Sequence, residues 1–285
     1  TGVQALVRLP MLQRQRDVKA GLNTGGFISG YRGSPVGGYD QQLWRAKEFL
    51  KRNHIHFQPG VNEDLAATAI WGSQQSNLFP DSKFDGVFAY WYGKGPGVDR
   101  CGDVFKHGNM AGPAKHGGVL LIAGDDHAAK SSTVPHQSEY AFVDANIPVL
   151  NPAGVQEILD YGILGMEMSR YSGCWVAFKT TAENMDSSSS IDVDPERVNV
   201  VIPDLAMPEG GLNIRWPDDW MEQERRLHQH KLNAVRAFSR ANGLDQTIIE
   251  PDVPKIGIVT AGKSYLDTRQ AMEELGITEE MAATI

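Results

Sequence analysis

The chain has 285 residues, 41% of them hydrophobic and 22% charged, so it can bury a core, and at roughly 150 residues per domain it suggests about two domains. Thirty-five acidic against 27 basic side chains give a formal charge of -8, which sets aside nucleic acid and anionic lipid as principal partners. No apolar run approaches the ~20 residues needed to cross a bilayer, and no signal peptide is visible. Two cysteines, Cys101 and Cys174, supply neither a disulfide framework nor a four-thiolate site, so a reduced, cytoplasmic setting is expected.

Thr1-Gly2-Val3-Gln4 lacks an initiator Met, and Glu279-Glu280-Met281-Ala282 lies inside a helical pattern, so an excerpt of a longer polypeptide is expected. In chain order, Gln4–Arg16 suits a helix that Pro10 should break or start. Gly25-Gly26 leads into a strand over Phe27–Tyr31, and Arg32–Gly38, with three glycines and a proline, reads as the loop at that strand's carboxyl end. A helix over Tyr39–Arg52 follows. The rhythm then repeats as strand His54–Phe57, helix Asn62–Leu78, strand Asp85–Tyr92, helix Val98–Asn109 and strand Gly118–Ala123. It continues with helix Pro135–Ala145, strand Pro148–Leu150, helix Ala153–Ser172 and strand Trp175–Lys179. Strands alternating with helices predict an α/β fold, a doubly wound parallel sheet covered on both faces.

Near Asp186 the composition changes. Ser187–Ser190 is polar, and Ile191–Asp219, rich in Pro, Asp and Gly, reads as a linker. Asp218–Asn242 is a charged helix whose apolar positions are Trp220, Leu227, Leu232, Val235 and Phe238. A strand over Lys255–Thr260 and a helix over Tyr265–Leu275 open a second α/β domain. The expected units are residues 1–186, a linker with its helix over 187–252, and the start of the second domain over 253–285.

Parallel α/β sheets bind ligands outside the carboxyl ends of their strands. The loops expected there are Gly30–Gly38, Gly93–Asp103 and Gly124–Ser132, with the helix opening at Asn62-Glu63-Asp64. On pattern alone, Glu63 is explained by the preference for carboxylates in a first helical turn after an Asn cap, or it is a carboxylate aimed into a cleft. Gly93-Lys94-Gly95-Pro96-Gly97 could present N–H groups to an anion, but it matches neither dinucleotide nor P-loop spacing and equally suits a plain turn. Gly124-Asp125-Asp126, with Asn146 and Asn151 downstream, partly imitates a Gly-Asp-Gly…Asn diphosphate–Mg²⁺ site but lacks its second glycine, so it reads as turn chemistry. His107, His116, His127 and His136 are spaced 9, 11 and 9 apart, which fits no compact metal site. His127 stays a candidate because it shares a loop with Asp126, Ser131 and Ser132. Cys101 reads as a buried thiol.

Several segments in the same order resemble the 2-oxoacid:ferredoxin oxidoreductases. Gly30-Tyr31-Arg32-Gly33-Ser34-Pro35 is similar to their Tyr-Pro-Gly/Ile-Thr-Pro loop, Asn62-Glu63-Asp64-Leu65-Ala66 to their Asn-Glu-x-x-Ala helix start, and Gly95-Pro96-Gly97 to their Ser-Gly-Pro-Gly turn. Gly124-Asp125-Asp126-His127 with Ser131-Ser132 resembles their Ala-Asp-Asp-Pro-Gly-x-x-Ser-Ser segment. Ala5–Pro10, Phe105–Asn109 and Gly211–Asp218 resemble segments of the fused, single-chain indolepyruvate branch.

The resemblance implies thiamine diphosphate as cofactor, a pyrimidine-binding domain over residues 1–186, and the beginning of a domain similar to the transketolase C-terminal one over 253–285. It implies that Glu63 is catalytic through N1′ of the aminopyrimidine, with Gly95, Pro96 and Gly97 beside the cofactor. It places Arg32, Ser34, Asp126, His127 and Ser132 near the substrate, although Arg32 and His127 replace prolines and Ser34 replaces threonine. The implied reaction is oxidative decarboxylation of an aryl 2-oxoacid, indolepyruvate, to the acyl-CoA with ferredoxin as acceptor. Mg²⁺ and [4Fe-4S] clusters are expected outside this segment, as is a homodimer that completes the site, so the segment alone should be inactive. The competing expectations are another thiamine diphosphate enzyme, transketolase-like or acetolactate-type, and a non-catalytic module that holds a partner subunit.

Overall fold

Successive side chains of a strand face opposite sides of its sheet. Along β3 (Val87–Lys94), Phe88, Tyr90 and Tyr92 enter one apolar core while Ala89 and Trp91 enter another. Along β4 (Val119–Asp125), Leu120 and Ile122 join the first core, and Val119, Leu121 and Ala123 the second. Both strands are apolar on two faces, as a sheet buried from both sides requires.

The computed structural model describes residues 1–129 and 134–284. With β1 (Gly25–Gly30), β2 (Ile55–Phe57), β5 (Val149–Leu150) and β6 (Val176–Thr181), the strands form one all-parallel six-stranded sheet in the order β2-β1-β3-β4-β6-β5. The first core lies under α1 (Gly2–Lys19), α2 (Tyr39–Arg45), α3 (Lys47–Arg52) and α8 (Val155–Ser172). The second lies under α4 (Glu63–Gln74), α5 (Gly95–Arg100), α6 (Gly102–Ala111) and α7 (Glu139–Asp144). The doubly wound α/β sheet read from the sequence is therefore what the chain adopts. Because the chain runs outward from β1 to β2 and then returns past β1 to β3, a switch-point crevice opens at the carboxyl ends of β1 and β3.

Pro10 does not break the first helix. It lies inside α1, where its missing N–H would leave the Leu6 carbonyl without the usual donor four residues on. The buried Tyr39 hydroxyl donates to that carbonyl instead, at 3.4 Å. α1 is fastened to α8 by a buried ion pair in which both Asp17 oxygens accept from Arg170, at 2.7 and 2.8 Å. Gln13 Nε2 and Thr24 Oγ1 also donate to Asp17, and Arg170 reaches the carbonyls of His116 and Gly117.

Three further expectations are corrected. The segment Tyr39–Arg52 is two helices meeting at Ala46, and the Gly95-Pro96-Gly97 stretch opens α5 rather than preceding it, since proline is well suited to a first helical turn. Lys255–Thr260 forms no strand: an extended segment needs a neighbour to satisfy its backbone, and among the described residues none pairs with it. Ile256, Ile258 and Val259 are accordingly exposed.

After α9 (Ala182–Asp186), residues 187–219 form no regular element but lie along the α1–α8 face. Arg16 donates to the carbonyls of Pro195 and Val198, and Tyr171 Oη to Pro203. α10 (Trp220–Arg226), a π-helical turn (Leu227–Lys231) and α11 (Leu232–Ala241) follow as one helical stretch, with Phe238 entering the first core. Lys231, wholly buried, donates to the carbonyls of Asn109 and Met110 at 3.1 and 2.8 Å, capping α6 with positive charge. α12 (Lys263–Glu274) and α13 (Glu279–Ala282) close the described chain. No helix among the described residues is long and apolar enough to cross a membrane.

Candidate active site

Asn62, extended and non-helical, caps α4 by accepting from the Leu65 N–H at 2.8 Å, and this sets Glu63 in the first turn, beside the crevice. Trp91 Nε1 donates to the main-chain carbonyl of Glu63 at 3.0 Å, tying that turn to the middle of β3. The Glu63 side chain is buried, with 9% of the residue exposed, yet its carboxyl group makes no hydrogen bond or ion pair among the described residues. A carboxyl group on a largely buried residue, with no protein partner among the described residues, is open to a ligand that brings a donor.

Gly97 lies directly against that carboxyl. A Cβ there would stand 2.6 Å from Glu63 Cγ and 3.0 Å from Oε1. Gly95, two residues earlier, meets a different side chain: its Cβ would be 2.1 Å from Cγ of His136. His136 Nε2 is 2.8 Å from Asp99 Oδ2 on α5, and because a carboxylate only accepts, that nitrogen carries the proton. Pro96 is exposed between them. His136 and Asp99 were missed by sequence reasoning, because they are 37 positions apart and His136 was judged only for metal spacing.

The loop after β1 carries Arg32 and Ser34. It is held down by buried Val36 and by Gly124, whose Cβ would stand 2.8 Å from Pro35 Cδ, and Gly33 packs on the Lys94 side chain. Arg32 is exposed and makes no ion pair among the described residues. Ser34 Oγ likewise has no hydrogen bond among them. Beneath this loop, burial and the neighbouring Asp40 push the Tyr92 hydroxyl well above its ordinary pKa, while the Arg32 charge acts the other way.

At the end of β4, the buried Asp125 carboxylate is engaged by neighbouring groups. It accepts from Ser138 N–H and Oγ, at 3.0 and 2.5 Å, and pairs with Lys179 Nζ at 3.4 Å; Lys179 also bonds Glu139. Asn146, with φ 55°, is a turn residue. Asp126 is buried and engaged with a partner, and His127 is exposed. His127 faces the carboxylates of Glu139 and Glu183, and both sit below their ordinary range. For Glu139, burial pushes upward but the Lys179 bond outweighs it; for Glu183, a main-chain hydrogen bond dominates. Ser131 and Ser132 lie outside the described residues.

Both thiols are buried and free, and burial raises both, Cys174 to about 11. Among the described residues no group of three or more His, Cys, Asp or Glu could hold a metal ion. The crevice thus brings Glu63 and Gly97 into contact and sets Gly95, two residues earlier, against His136, with Arg32 and Ser34 on the adjoining loop and Asp126 and His127 one strand further.

The chain is similar to known proteins in sequence and in fold. A family described as the indolepyruvate oxidoreductase domain matches residues 246–285. The indolepyruvate oxidoreductase subunit IorA of Methanothermobacter marburgensis is 22% identical over 277 residues, 95% of this chain and 41% of that protein. The corresponding subunit of Pyrococcus abyssi is 27% identical over 173 residues, 57% of this chain and 25% of that one. The chain therefore spans about two fifths of the length of the first of these relatives. The structure of 2-oxoglutarate:ferredoxin oxidoreductase from Magnetococcus marinus, with 2-oxoglutarate, coenzyme A and succinyl-CoA bound, aligns with a TM-score of 0.60 at 15% identity, over 97% of this chain and 51% of that one. In sequence the chain is a relative of the indolepyruvate oxidoreductase subunits, and in fold it matches a 2-oxoacid:ferredoxin oxidoreductase, the family that its motifs resemble.

Proposed function

We propose that this chain carries the aminopyrimidine half of a thiamine diphosphate site in an enzyme that oxidatively decarboxylates an aryl 2-oxoacid, indolepyruvate, to the acyl-CoA and passes the two electrons to ferredoxin. The observation that carries the reading is Glu63, a largely buried residue whose carboxyl group makes no hydrogen bond among the described residues and lies directly against the glycine turn at Gly97. A carboxyl so placed can share a proton with a ring nitrogen, which is what N1′ of an aminopyrimidine offers. When bound, thiamine diphosphate supplies the carbon nucleophile for the 2-oxo group and the sink for the electron pair released with CO₂.

This chain's own residues supply the surroundings. Glu63 would hold the proton at the ring nitrogen. Gly95, Pro96 and Gly97 give the ring a close backbone approach. Ser34 Oγ can donate to a substrate oxygen, and Arg32 at the mouth can pair with the 2-oxoacid carboxylate. His127 and Asp126 would line the far side. Mg²⁺ on the diphosphate, the iron–sulfur clusters and a dimeric arrangement belong, on this reading, to the remaining length seen in the relatives.

The test uses the complete native polypeptide. Indolepyruvate-dependent reduction of a low-potential acceptor is followed with thiamine diphosphate and CoA, comparing wild type with Glu63→Gln. A fall on the order of 10²-fold or more is expected, the size typical of losing a proton-transfer group. Equal activity would turn the chain into a module that only holds a partner. Turnover without any electron acceptor would favour a transketolase-like or acetolactate-type enzyme. Activity with another 2-oxoacid alone would change only the substrate.

A further inference from the structure

We propose that His136, held by Asp99, is a positioning residue that presses the Gly95-Pro96-Gly97 turn toward Glu63 and so sets the affinity for the aminopyrimidine ring. The inference rests on the thiamine diphosphate reading above.

The turn is clasped from two sides. The imidazole of His136 lies on Gly95 and the Glu63 side chain lies on Gly97, each so close that a single added carbon would collide. α5 has six residues, and a helix that short has too little cooperativity to hold its own position, so its contacts decide where it sits. One of those contacts is the bond from His136 to Asp99, a full helical turn beyond Gly95. The segment that brings His136 there is itself anchored two residues later, where Ser138 donates twice to buried Asp125 at the end of β4. A ring fixed through Ser138 and bonded to α5 can therefore transmit the position of β4 to the turn. Removing the ring would leave a void beside Gly95 into which the turn relaxes, away from Glu63.

The test is made on the complete enzyme. Thiamine diphosphate is titrated in the presence of Mg²⁺, with quenching of intrinsic fluorescence as the readout. The unfolding temperature of the cofactor-free protein is measured alongside. His136→Ala is expected to weaken binding on the order of 10- to 100-fold, the usual loss when the group behind a binding residue is removed. Its cofactor-free unfolding temperature should stay close to wild type, and saturating cofactor should restore kcat. His136→Gln, which keeps a donor for Asp99 at similar reach, should bind within about threefold of wild type. Unchanged affinity in His136→Ala overturns the inference. So does a loss that tracks a fall in unfolding temperature, which would mark the ring as structural only. If wild type itself fails to bind thiamine diphosphate, the functional reading fails and this inference with it.

Discussion

The Cα of Gly97 lies against the Glu63 carboxyl, with room for a proton but not for a methyl group: an added Cβ would stand 2.6 Å from Cγ and 3.0 Å from Oε1. Gly97 is helical, so alanine suits its backbone and would favour the helix by about 1 kcal/mol. Gly97→Ala should therefore fold within about 1 kcal/mol of wild type while driving the carboxyl from its place. Activity of the complete enzyme should fall on the order of 10²-fold, and an intact kcat/KM in this variant would remove the contact from the site.

The Pro10–Tyr39 relationship allows a double-mutant cycle. In wild type, Tyr39→Phe strands the buried Leu6 carbonyl and should cost about 1–3 kcal/mol in urea unfolding. In a Pro10→Ala background the new N–H can close the ordinary helical bond to the same carbonyl, so the same change should cost far less. A coupling of about 1 kcal/mol or more is expected; strict additivity would show that the tyrosine does not replace the missing donor.

Arg170→Met would leave the Asp17 carboxylate buried with only Gln13 and Thr24 as donors. Breaking one side of a buried pair costs about 3–5 kcal/mol, and here it would also release two carbonyls, those of His116 and Gly117. The urea midpoint should shift accordingly at an unchanged m value, and a loss below about 1 kcal/mol would contradict the role given to the pair.

Burial pushes Lys231 from 10.5 down to about 8; nearby Cys174 and Asp218 partly oppose that, and Arg226 and Arg215 add to it. Between those two values the unfolded chain binds the proton that the folded chain has released. Stability contributed by this group therefore rises with pH through that window, by up to about 3 kcal/mol. Cys174 acts in the opposite sense: burial raises it from 9.0 to about 11, so above pH 9.0 the unfolded chain loses a proton that the folded one keeps. The difference in unfolding free energy between wild type and Lys231→Met isolates the lysine, and it should grow from pH 8 to 10. A flat difference would refute the shift.

The alternating strands and helices were legible because each is a local pattern: short continuous apolar runs in β3 and β4, a cap at Asn62, glycine at the end of α8. Glu63 was legible as a residue and, through its motif, as a candidate, but its close contact with Gly97 from another element was not. Pro10 misled because its compensation comes from Tyr39, 29 positions away in the first core. The segment Lys255–Thr260 misled for the converse reason: its pattern is that of a strand, but strand formation needs a neighbour. His136 and Asp99 left no pattern, since a bond from a loop to a helix 37 positions away is written in no periodicity. The Asp125 carboxylate binds Ser138 and Lys179, partners that no local pattern announces.

The indole of Trp91 grips Glu63 by its main chain, not by its carboxyl. The Cα of Glu63 is thus moored to the middle of a sheet that cannot advance, and only the length of the side chain decides how far the acid group extends. Aspartate keeps the charge but falls one methylene, roughly 1.5 Å, short. With the mooring in place no movement of the helix can make up the gap, so at this position Asp should be nearly as poor a substitute as Gln, and freeing the mooring with Trp91→Phe should partly rescue Glu63→Asp.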